Sequence, residues 1–174
     1  MIKKFLICLI MLFCSIPLIV SASDNSTAKI GDKYYDSLLD AIANASSTDT
    51  IMLTSNVVLD EPLMINKTVN LNLNNHNISI PEKGLQVKGG SLNLSGKGTI
   101  KEQKPNYGAI IVTGSSDPSD TNYSVVTVGK DVTLEGWSGI FITHDNSKSY
   151  GVLTFRFIAS STNFSADTSI PKST

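Results

Sequence analysis

Few side chains in this 174-residue chain have the types and spacing that chemistry needs. His76 sits among amides in "VNLNLNNHNISI", and His144 follows the apolar run "GIFIT". Two histidines about 70 residues apart, with no third ligand nearby in sequence, do not make a metal centre, and none is expected. Asp117 and Asp120 in "SSDPSDTNYS" come nearest to a carboxylate pair for acid–base work or calcium. They lie beside a proline in a loop, where aspartate and serine are ordinary turn formers. Tyr107, Tyr123 and Trp137 fall in or next to predicted turns, where a flat apolar ring can stack on a pyranose. The competing reading of Trp137, in "LEGWSGIFI", is a cover for the edge of the core under a long loop, and packing of this kind is the commoner role for such a residue. The candidate binding residues are therefore Trp137, Tyr123, Tyr107 and His144, with no catalytic residue and no cofactor expected.

The ends and the composition limit what such residues can serve. Lys3 and Lys4 precede an apolar run from Phe5 to Val20, and Val20-Ser21-Ala22 ends in small residues. This is the pattern of a secretory signal peptide over residues 1–22, cut after Ala22. The rival reading, a retained transmembrane anchor, has an apolar run of roughly 16 residues, short of the roughly 17 to 25 that span a bilayer. Both cysteines, Cys8 and Cys14, lie in this segment, so the mature chain has no disulfide, thiolate site or cysteine nucleophile. Phe13 is too large to precede a lipid-bearing cysteine. About 150 residues remain, enough for one domain with a core. Without Lys3 and Lys4 the charges are 12 basic against 15 acidic, so nucleic acid is not an expected partner. The single arginine, Arg156, gives little support for bidentate anion recognition.

The elements that must position any site are short. Residues 23–34 read as a polar leader. In "YYDSLLDAIANAS", Tyr35, Leu38, Leu39 and Ile42 share one helical face, which predicts an amphipathic helix over 35–46. Asp36 can cap it, and Asp40 stands three residues after Ser37, as in a capping box. From residue 49 to 157 the chain is a series of three- to five-residue apolar runs parted by Asn, Gly, Ser, Asp or Lys. No second helical pattern interrupts them, which argues against a doubly wound α/β sheet. Aligning Ile51, Leu71, Leu92, Ile110, Val132 and Val152 gives steps of 20, 21, 18, 22 and 20 residues. A period near 20 is that of a solenoid whose successive coils cover one another. A sandwich would show longer strands and clearer hairpins, and one hairpin signal exists, "LQVKGGSLNL" about Gly89-Gly90.

Within this pattern, "LNLNNHNIS" resembles the L-x-L-x-G-H-x-I corner of right-handed parallel β-helix proteins, the pectate-lyase-like superfamily. "SLNLSGKGTIKE" is similar to their next coil, and residues 28–59 resemble the helix-capped entry of secreted bacterial members. The resemblance covers roughly Ala28 to Ile142 and implies an all-β solenoid of about five coils with a short N-terminal capping helix. Asn75 stands where the family has glycine; asparagine is the non-glycine residue that best tolerates left-handed backbone. Residues 158–174 read as a polar tail, disordered or truncated. Its "SIPKST" lacks the glycine and apolar segment of a wall-sorting signal. With no closing element in sight, the last coil is expected to be prone to self-association.

Enzymes of this superfamily usually cut acidic polysaccharides with clustered carboxylates and a basic residue. Here the outward strand positions carry Asn, Thr and Ser. The expected function is a non-catalytic, secreted or cell-surface module with a structural, adhesive or carbohydrate-binding role, having polysaccharide or surface glycan as partner and no stable membrane insertion. The alternative is the N-terminal part of a β-helix lyase or glycoside hydrolase lacking its catalytic coils. Asn-x-Ser/Thr matches such as Asn66 and Asn77 arise by chance in an asparagine-rich chain and are not read as glycosylation.

Overall fold

The structure, a computed structural model, describes residues 25–104, 107–114 and 123–144. Two short strands, β1 (Ala28–Ile30) and β2 (Lys33–Tyr35), lead into helix α1 (Leu38–Asn44). Twelve strands follow: β3 (Thr50–Leu53), β4 (Val57–Val58), β5 (Leu63–Ile65), β6 (Thr68–Asn72), β7 (Ile78–Ile80), β8 (Leu85–Lys88), β9 (Ser91–Ser95), β10 (Gly98–Glu102), β11 (Gly108–Gly114), β12 (Val125–Val128), β13 (Val132–Glu135) and β14 (Ser138–His144).

The fold is predominantly β. From β3 onward every strand pairs in parallel with the strand three places away, and successive strands visit three sheets in turn. The sheets run β12-β9-β6-β3-β1-β2, β13-β10-β7-β4 and β14-β11-β8-β5. Antiparallel pairing is confined to β1, which joins both β2 and β3.

Strands β3 to β10 turn alternate residues inward, and in-register residues stack into apolar columns. The first sheet aligns Ile51 with Leu71, Leu71 with Leu94, and Leu94 with Val128. The second stacks Val57, Ile78, Ile100 and Leu134; the third stacks Leu63, Leu85, Ile110 and Ile140. Most members are buried, but Val128, Leu134 and Ile140, which end the three columns, are only partly so.

These registers correct the spacing argument. Leu71 aligns with Leu94, while Leu92 aligns with Val69. Ile110 and Val132 lie in the third and second sheets, not beside Ile51. The first-sheet steps are 20, 23 and 34 residues, because corners vary in length and the segment between β11 and β12 is long. The Gly89-Gly90 hairpin does not form, since β8 and β9 lie in different sheets. Gly90 makes a corner, where a Cβ would come within 2.7 Å of Lys67 N on the stacked corner. The expected signal peptide, Val152 and the tail lie outside the described residues.

The predicted helix is shorter than its apolar stripe. Tyr35 belongs to β2, and the leader holds β1. Ser37 is the N-cap: its Oγ accepts from Asp40 N at 3.0 Å and donates to Asp40 Oδ2 at 2.9 Å. Leu38, Ala41 and Ile42 are buried. At the other end Lys67 Nζ donates to Ala43 O (3.2 Å) and Ala45 O (2.9 Å), placing a cation on the free carbonyls of the last turn. Beyond it, Ser46 N donates to Asp49 Oδ2 at 2.8 Å, and the Ser46 hydrogen bonds hold the Asp49 carboxyl below the usual carboxylate range.

Candidate functional site

His76 lies at a backbone corner. Asn74 and Asn75 both have positive φ (47° and 65°), and His76 N donates to Leu73 O at 2.7 Å. Two left-handed residues inside an i to i+3 hydrogen bond are the pattern of a type I′ turn, which suits asparagine. The amides around it bond to adjacent strands and corners. Asn74 Nδ2 donates to Leu53 O, Asn56 Oδ1 accepts from Asn77 N, and Asn77 Oδ1 accepts from Thr99 N, each at 2.9 Å. Asn93 Nδ2 donates to Asn70 Oδ1 at 2.9 Å, continuing the interstrand amide bonding on the first sheet. These groups are consumed by the fold. Among the described residues no cluster of three or more His, Cys, Asp or Glu could hold a metal ion.

A different corner gathers the aromatic residues. The chain leaves β10 after Glu102 and enters β11 at Gly108; on the neighbouring strands it passes from β13 to β14 through Gly136 and Trp137. Trp137 N donates to Tyr107 O at 3.0 Å, so the two corners are bonded together. The Phe141 ring stands edge-on to Tyr107, with centroids 6.4 Å apart, and 6.3 Å from Trp137. Gly108 permits this approach, because a Cβ there would lie 2.7 Å from Phe141 N and 2.8 Å from Phe141 Cβ. Trp137 is 68 % exposed although two other rings lie beside it.

A buried carboxyl group bonds to the same corner. Alternation in β10 turns Ile100 and Glu102 inward, and Glu102 aligns with the core residue Ile80. It is 3 % exposed, and its Oε2 accepts from Tyr107 N at 3.2 Å. Gly136 leaves the space: a Cβ there would stand 3.2 Å from that same oxygen. Glu102 Oε1 and Ser138 Oγ are buried without a hydrogen-bond partner among the described residues. On the outer face, Lys101 and Glu135 form an exposed pair at 3.2 Å, a weak contribution to stability.

The structure thus brings together Tyr107 and Trp137 of the expected binding residues. Tyr123 is exposed at the corner after β11, where its neighbour Ser124 accepts from Gly89 N and donates to Thr113 O. His144 ends β14, its backbone aligned with Gly114. Asp117 and Asp120 lie outside the described residues. Sequence reasoning missed Phe141, Glu102 and Ser138. Glu102 was detectable as an acid two residues after Ile100, on the inward phase of a strand.

Comparison with family models, with curated proteins and with solved structures finds no match.

Proposed function

We propose that this chain is a secreted, cell-surface module, a right-handed parallel β-helix that binds carbohydrate without cleaving it. The three-sheet parallel path supports the winding, and the strong preference of parallel crossovers for one hand supports right-handedness. The exposed Trp137 ring beside Tyr107 and Phe141 carries the binding reading. An exposed indole flanked by two further rings suits a sugar, which has one apolar face.

Trp137 is the sole tryptophan, so intrinsic fluorescence reports directly on this corner. Titration with pectins, alginates and host glycans is expected to give a saturable spectral change with at least one of them. Trp137→Ala, measured by calorimetry, should weaken that affinity by about tenfold or more, as loss of an aromatic anchor does. Release of cleaved product would overturn the non-catalytic reading, and unchanged affinity in Trp137→Ala would overturn the site.

A further inference from the structure

A second surface lies at the opposite end of the sheets. β4 is an outermost strand of the second sheet. Val57 N and Leu59 N donate inward, to Asn77 O and Ser79 O, both at 2.9 Å. Because successive backbone groups of a strand point to opposite sides, the N–H and C=O of Val58 face the open edge. No described residue bonds to Val58 N.

This edge borders a groove of about 470 Å³ between the start of α1 and residues 56–62. Leu39 on the helix is 53 % exposed and Val58 on the strand 66 %, so the groove has apolar side chains open to solvent. Asp36, Asp60 and Glu61 also line it, and no lysine or arginine does among the described residues. Neither Asp60 nor Glu61 forms an ion pair with a described residue.

From this combination we infer that the groove receives an extended, basic polypeptide segment of another protein, added alongside β4. The edge backbone at Val58 offers one donor and one acceptor to an incoming strand. Val58 and Leu39 take an apolar side chain, and Asp60 and Glu61 attract the lysines or arginines alternating with it. A chain with backbone amides and positive charge fits all three features; a neutral glycan leaves the acidic rim unanswered.

Fluorescence anisotropy of a labelled octapeptide alternating lysine with valine, titrated with the full chain, tests this. Saturable binding is expected, weakened at high salt because the acidic rim is exposed. The glutamine–valine counterpart should bind at least about tenfold more weakly, as should the lysine peptide with Asp60→Asn/Glu61→Gln. Val58→Lys, on an exposed side chain, should abolish binding while leaving the circular dichroism spectrum and the thermal midpoint near those of the parent. Equal binding of the glutamine peptide, indifference to these variants, or no binding would overturn the inference. So would glucosamine oligomers binding in the peptide's place. Trp137 fluorescence should stay unchanged throughout, which keeps this result separate from the carbohydrate site.

Discussion

At residue scale, asparagine has three structural uses in this chain. It occupies left-handed backbone at Asn74 and Asn75, satisfies a neighbouring backbone at Asn56 and Asn77, and links strands through the Asn70–Asn93 pair. At Asn75, with φ of 65°, the backbone cost falls on any side chain that crowds it. Asn75→Gly is expected to be neutral or stabilising, whereas Asn75→Val should destabilise by about 1 kcal/mol or more. Thermal melts of the two variants check this, and equal midpoints would contradict the turn. Glu102 follows a different logic: its side chain takes an inward place opposite Ile80 and accepts from the Tyr107 backbone, so a buried polar group shapes an exposed aromatic corner. The identity of Asn75 as a turn residue was legible because few residues tolerate positive φ. The contact between Glu102 and Tyr107 was not, because alternation gives the phase of a side chain but not what faces it.

At the scale of elements, α1 is seven residues long, too short to persist through its own hydrogen bonds. It is held by burial of Leu38, Ala41 and Ile42, by the Ser37 cap, and by Lys67, which reaches from the start of the next set of three strands. Lys67→Met keeps the length of the side chain and removes the donors. It is expected to destabilise the fold by about 1 kcal/mol, read from denaturant midpoints at constant m-value. The helix and its cap were readable from local spacing, since both are contacts within four residues. The Lys67 contact joins residues more than 20 apart and needed the stacking of corners.

Across the whole molecule, the strands form columns whose burial falls toward the last described set. In the second sheet Ile78 and Ile100 are fully buried, while Leu134 on β13 is only partly covered. Truncation should therefore cost unequal amounts along one column. Ile100→Ala is expected to lose about 2–5 kcal/mol, and Leu134→Ala less than half as much, in chemical denaturation. Equal losses would mean that the column is closed above Leu134. The amino-acid order alone determined the strand-rich class, the helix ahead of the parallel strands and the asparagine corner, because alternation, capping and positive φ are local constraints. Only the tertiary structure decided which sheet each run joins, that Gly89-Gly90 turns a corner, that Tyr107, Trp137 and Phe141 meet, and that Glu102 bonds to the Tyr107 backbone. The physical reason is corner length: a few residues more or less between strands change the step in sequence without changing the partner in space.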